Sequence, residues 1–237
     1  MRNSLSKIYR QMNENYPVTE PLEYIKFETG SEPTHSIIWL HGLGADGNDF
    51  ANLPEMLSFN TERVRFIFPH APTRPITING GMLMRGWYDL QEMPNHDNED
   101  LDGLIESADL VIQLLEEEIM RGVASTNIYL GGFSQGGALS LYLGLRYQQP
   151  LAGIVALSTY LPAPHSTANE TADANRKTQI FMGHGLNDPI VPLELANVSH
   201  KILKDLEYSV VWRTYPMGHS ICEAEMLDLR QYFSQSF

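Results

Sequence analysis

Gly132-Phe133-Ser134-Gln135-Gly136 sets a serine in a G-x-S-x-G frame, the spacing that puts a nucleophilic hydroxyl on a sharp strand-to-helix turn. The flanks fit that turn: Asn127–Gly131 reads as a strand and Gly137-Ala138-Leu139-Ser140-Leu141-Tyr142-Leu143 as the start of a helix. A serine hydroxyl attacks a carbonyl carbon only when a base removes its proton and an acid orients that base. On sheets that carry this turn, the partners follow in the order serine, acid, histidine, on loops after later strands. Of the eight histidines, His219 meets that order, in Tyr215-Pro216-Met217-Gly218-His219-Ser220 just past the last predicted strand. His35, His41, His70, His96, His165 and His184 precede the predicted acid, and His200 falls inside a predicted helix. That acid is Asp188, in Gly185-Leu186-Asn187-Asp188-Pro189-Ile190-Val191-Pro192, where Pro189 and Pro192 stiffen the loop. Asp173 lies in a polar loop, and Asp205 and Glu207 close a helix.

The oxyanion of an acyl-transfer intermediate needs N–H donors, and losing one typically costs ~10²–10³ in rate. Ser134 opens a helix, so the N–H of Gln135 faces developing negative charge. The second predicted donor is the N–H of Leu43, in the glycine turn His41-Gly42-Leu43-Gly44. Extended to Gly47, that turn also fits GxGxxG, a dinucleotide signal. The strand Val64–Phe68, however, leads into Pro69-His70, where a ribose-binding acid should stand. The oxyanion reading is therefore preferred. Cys222 stands three residues past His219 with no elbow around it and is expected to be a small buried hydrophobe. Neither H-E-x-x-H nor a cysteine cluster occurs, so no metal is predicted, and the chemistry calls for no cofactor.

Elements that could position these residues are legible. Candidate strands are Tyr24–Thr29, Ser36–Leu40, Val64–Phe68, Asn127–Gly131, Gly153–Leu157, Gln179–Gly183 and Ser209–Tyr215. From Asp102 to Arg121, apolar residues at 104, 105, 108, 111, 112, 115 and 119 mark one face of a helix. Further helices are expected from Gly136 to Tyr147, Leu193 to Glu207 and Cys222 to Phe233. This alternation predicts an α/β fold with a mostly parallel sheet, and strands in such sheets aim their carboxyl ends at the site. Pro72–Asp89 is expected to form an elaborate connection over one end of the sheet, and Pro162–Arg176 a mobile polar loop. Residues 89 to 118 carry eleven carboxylates and no Lys or Arg, read as a solvated helix face with its preceding loop.

The chain has 237 residues, 43% of them hydrophobic, enough for one domain with a sizeable core. A net charge of −13 argues against nucleic-acid partners and polybasic membrane anchoring. The first thirty residues lack the apolar core of a secretory signal and no long apolar run occurs, so no stable membrane insertion and a cytoplasmic setting are expected. A single cysteine excludes an intrachain disulfide.

Together, His41-Gly-Leu-Gly, Gly-Phe-Ser134-Gln-Gly-Gly, His184-Gly…Asp188-Pro-Ile-Val-Pro and Gly218-His219-Ser220 resemble the bacterial type II carboxylesterase and acyl-protein thioesterase family. Phe68-Pro-His-Ala-Pro, Arg74-Pro75-Ile-Thr-Ile-Asn and Arg85-Gly-Trp87-Tyr88-Asp89 resemble it too. The likeness spans about residues 17 to 237, leaving 1–16 as an extension expected to be flexible. It implies a single α/β-hydrolase domain without a large cap, with Ser134, Asp188 and His219 as triad and Leu43 and Gln135 as oxyanion donors. It also implies that the segment around Trp87 borders the acyl pocket, making Leu83, Met84 and Trp87 candidate acyl contacts. The expected activity is hydrolysis of carboxylic esters of short to medium chain length and of thioesters on acylated proteins. The expected partners are a small-molecule ester or an acylated protein or lipid, with homodimerisation left open. Two alternatives stay open: a lysophospholipase acting on lipid esters, and a hydrolase fold that binds an acyl ligand without turnover.

Overall fold

The computed structural model describes residues 21–59, 63–92 and 99–234. The expected extension, 1–16, lies outside the described residues, as does His96. The strands are β1 (Tyr24–Glu28), β2 (His35–Leu40), β3 (Val64–Pro69), β4 (Thr73–Ile76), β5 (Met82–Arg85), β6 (Ile128–Phe133), β7 (Gly153–Leu157), β8 (Ile180–Gly185) and β9 (Val210–Tyr215). The helices are α1 (Leu53–Leu57), α2 (Leu101–Met120), α3 (Gln135–Arg146), α4 (Pro164–Glu170), α5 (Leu193–Asp205) and α6 (Glu223–Phe233).

Seven strands form one sheet in the order β1-β3-β2-β6-β7-β8-β9, and β4 and β5 form a separate hairpin. Only β1 runs antiparallel to its neighbour, pairing Tyr24 with Pro69 through Glu28 with Arg65; the other ladders are parallel. Alternation along the strands splits the apolar residues between two cores. Ile38, Leu40, Leu130 and Met182 pack with α2, α3 and α5 on one face. Ile37, Trp39, Tyr129, Val155 and Phe181 pack with α1 and α6 on the other. Helices on both faces force every parallel crossover, and the strands deliver their carboxyl ends to one edge of the molecule. This is the α/β-hydrolase architecture expected from the sequence, with a mostly parallel sheet.

One expectation gains detail and two need correction. Pro72–Asp89 is built around the antiparallel hairpin β4–β5, with Thr73 opposite Arg85 and Ile76 opposite Met82. The proline-rich wording hid its strands. Pro162–Arg176 is not an open loop: it folds into α4 and a 3-10 turn at Asp173–Asn175. Its polar residues bond inward. Thr167 Oγ1 donates to Ala163 O at 2.9 Å, Asn175 Nδ2 donates to Tyr147 O at 2.7 Å, and Arg146 Nη2 grips Glu170 Oε2 at 2.7 Å. The acidic stretch is not uniformly solvated either, since Glu118 of α2 is fully buried. Its carboxylate accepts from Arg65 Nη1 at 2.8 Å, Arg121 Nη1 at 2.5 Å and Ser36 Oγ. Asp100 caps α2 by accepting from Gly103 N at 3.0 Å. Among the described residues, no helix is long and apolar enough to cross a membrane.

Candidate active site

Ser134 follows β6 directly and opens α3. Its backbone sits at φ 54°, ψ −120°, a conformation that costs a side-chain-bearing residue ~1–3 kcal/mol and persists only when its surroundings impose it. They do so on both sides of the residue. Ser134 N donates to Leu157 O at 2.9 Å, and Ser134 O accepts from Thr159 Oγ1 at 2.7 Å and from Ala138 N at 3.0 Å. The turn is closed by Gly136: a β-carbon there would stand 2.2 Å from Leu40 O and 2.6 Å from His41 O, both backbone atoms of the β2 end.

The other two predicted residues lie on loops past β8 and β9 and meet Ser134 at the sheet's carboxyl edge. His219 Nε2 lies 2.9 Å from Ser134 Oγ, and His219 Nδ1 lies 2.7 Å from Asp188 Oδ2. A carboxylate only accepts, so Nδ1 carries the ring's hydrogen and Nε2 is free to accept the serine O–H. Asp188 is itself oriented, because its Oδ1 accepts from Ile190 N and Val191 N at 2.9 Å each. Its side chain is wholly buried and that of His219 largely so. The Phe133 ring flanks the imidazole at a centroid distance of 4.8 Å.

Of the two predicted N–H donors, Gln135 follows the serine directly, and Gly42, next to Leu43, lies against it: a β-carbon at Gly42 would stand 3.5 Å from Ser134 Cβ. Gln135 is the first residue of α3, so its N–H has no acceptor within the helix. The Leu43 N–H donates to no acceptor among the described residues. His41 shapes the turn that carries Leu43. Its Nε2 accepts from Ala71 N at 3.0 Å and its Nδ1 lies 2.7 Å from Gly42 O, which fixes the neutral Nδ1–H tautomer. Burial lowers its pKa to about 4.

Sequence reasoning credited Gln135 with its backbone alone. Its buried side chain also clamps the chain leaving β5, accepting from Trp87 N at 2.8 Å and donating to Tyr88 O at 2.7 Å. Gly44 N donates to Arg85 O at 2.8 Å, tying the turn after β2 to the same strand end. Neither tie has a local signal, since the partners lie more than forty residues apart in sequence.

The three candidate acyl contacts separate. Leu83 is 69% exposed on the hairpin, and Met84 is half-buried, its Sδ close to Gly44. Trp87 is fully buried and donates through Nε1 to His41 O at 2.8 Å; it props the site from within and presents no surface to a ligand in this structure. Cys222 is half-buried at the start of α6, not buried as expected.

Residues 25–237 match the sequence profile of the phospholipase/carboxylesterase family. The chain is similar to acyl-protein thioesterase 1 of Gibberella zeae, at 40% identity over 216 residues that cover 87% of this chain and 92% of that one. Among solved structures it is similar to Arabidopsis thaliana SOBER1, with a TM-score of 0.80 and 30% identity over 85% of this chain and 98% of that one. Zea mays acyl-protein thioesterase 2 gives a TM-score of 0.80 and 25% identity over 90% and 98%.

Proposed function

We propose a Ser134-dependent acyl transfer for this chain, which belongs to the phospholipase/carboxylesterase family and is a hydrolase of carboxylic esters. The observation that carries the reading is the unbroken sequence of contacts from Ser134 Oγ through His219 to Asp188, at 2.9 and 2.7 Å. His219 Nε2 takes the serine proton as Oγ adds to the acyl carbonyl, and the oxyanion accepts from the N–H groups of Leu43 and Gln135. The intermediate collapses, breaking the bond to the leaving group. An alcohol departs with the proton from Nε2, whereas a thiolate needs that proton less. Water then adds to the acyl-enzyme, His219 again takes the proton, and the carboxylic acid leaves with Ser134 restored. Asp188 holds the tautomer and stabilises the imidazolium throughout.

The thioesterase names of the relatives support a thioester on an acylated protein as the preferred substrate. Leu83 and Met84 are the side chains proposed to meet the acyl chain, with Trp87 behind them. A cytoplasmic setting belongs to the same proposal, in keeping with a chain whose lone cysteine makes no disulfide. The test is a p-nitrophenyl ester series from acetate to palmitate, run beside an S-palmitoylated peptide and a lysophosphatidylcholine, with wild type and Ser134→Ala. Wild type should turn over esters and the palmitoyl peptide, and Ser134→Ala should lose up to ~10⁶ in kcat. Preference for the lysolipid would transfer the proposal to lipid esters. Silence across every substrate would leave acyl-ligand binding without turnover.

A further inference from the structure

A second histidine stands against the acid of the site. His184 lies near the end of β8 and is 1% exposed. Its Nε2 is 2.9 Å from Val191 O. A carbonyl oxygen can only accept, so Nε2 carries the hydrogen and Nδ1 is bare. Val191 is the residue whose own N–H, with that of Ile190, holds Asp188 Oδ1. The turn is thus gripped twice: Asp188 takes the N–H of Val191, and His184 takes its C=O. The remaining carboxylate oxygen, Oδ2, lies 2.7 Å from His219 Nδ1 and 3.6 Å from His184 Nε2. Two imidazoles therefore flank one oxygen, and Val191 O, by accepting the His184 hydrogen, leaves Oδ2 to His219.

We infer that His184 is a positioning residue for Asp188, holding the 188–191 turn through Val191 O and serving only while its ring is neutral. The inference rests on the Ser134 acyl-transfer reading. Charging the ring would set a cation 3.6 Å from Oδ2, in direct competition with the imidazolium of His219. The groups around His184 bear on that charge. Burial is the largest influence and lowers its pKa; Asp188 opposes this, and His219 adds to it. Trp212 of β9 stacks on the ring at 6.4 Å, and His200 of α5 stacks on Trp212 at 5.1 Å.

Two variants separate the roles. His184→Phe keeps an aromatic ring but deletes the donor, stranding a buried carbonyl. His184→Gln carries an amide N–H to about the place of Nε2 and can never charge. In His184→Phe, kcat on p-nitrophenyl butyrate should fall roughly 10- to 100-fold with KM changed less than about 2-fold, as for a misplaced catalytic group. His184→Gln should return to within about 3-fold of wild type. The acid limb of kcat/KM should steepen from one-proton to two-proton dependence in wild type and stay one-proton in His184→Gln. Turnover that depends on Ser134 but is unchanged by His184→Phe would overturn the inference and leave the acyl-transfer reading standing. Wild-type inactivity would remove both. Should His184→Phe fail to fold, identical acid limbs in wild type and His184→Gln overturn the inference by themselves.

Discussion

Gln135 acts through two parts of one residue. Its N–H is a proposed oxyanion donor, and its carboxamide uses both heteroatoms to fix Trp87 and Tyr88. In Gln135→Met the N–H stays but the clamp goes, leaving a buried N–H and a buried C=O unpaired, a loss of ~1–3 kcal/mol for each. The turn after β2 is tied to the same strand end through Gly44 N and Arg85 O, so slackness at Trp87 reaches the proposed oxyanion donors. We expect kcat/KM on p-nitrophenyl butyrate to fall about 10- to 100-fold, most of it in kcat. A change confined to KM would show instead that the clamp shapes only the acyl pocket. At this scale the sequence showed Ser134, Asp188 and His219 through motif and chain order, because each sits in a short, stereotyped loop. It showed neither the Gln135 clamp nor the bond from His184 to Val191 O, because those depend on which side chain fills a space made by distant segments.

At the scale of elements, the strands were legible because two-sided burial turns them into short runs of Ile, Val and Phe. The long helix α2 was legible because its period of apolar residues is unbroken over five turns. The hairpin β4–β5 and the helix α4 were not. Pro75 sits within β4 and Ala163-Pro164 open α4, so local composition argued for irregular chain while cross-strand pairing and inward hydrogen bonds made the structure. Motif glycines carry a similar ambiguity that only packing resolves. A β-carbon at Gly136 would stand 2.2 Å from Leu40 O at the end of β2 and 2.6 Å from His41 O just past it, atoms that no rotamer change can move aside. Gly136→Ala should therefore push α3 from the end of β2, costing about 3 kcal/mol or more and displacing the proposed Leu43 donor together with Ser134. Gly218, beside His219, offers the contrast: an added β-carbon meets nothing nearer than Asn187 O at 3.8 Å. Thermal melts of the two alanine variants should show a large drop for position 136 and little change for 218. Equal melting temperatures would show that β2 and α3 have slack that the packing does not suggest.

Across the whole molecule, a charge of −13 coexists with a carboxyl group buried where no partner among the described residues reaches it. Glu225 sits in the first turn of α6, fully buried against Gly183 of β8, and neither of its oxygens has a hydrogen-bond partner among the described residues. Burial, with a smaller push from Asp228, raises its pKa from the usual 4.5 to about 8. The folded chain then keeps a proton that the unfolded chain releases. Stability must fall as pH climbs through that window, from about 4.5 to about 8, and level off once both states are ionised. α6 joins the sheet just after the His219 loop, so the strain of ionisation is felt next to the site. Glu225→Gln removes the ionisable group at nearly constant volume. The difference in melting temperature between variant and wild type cancels the other carboxylates, which titrate alike in both. That difference should be small below pH 4.5 and grow to about 10–20 °C by pH 9, equivalent to about 5 kcal/mol for a carboxyl pKa raised from 4.5 to about 8 in a chain of this size. A flat difference across the whole range would mean that Glu225 is already ionised and compensated in the folded protein.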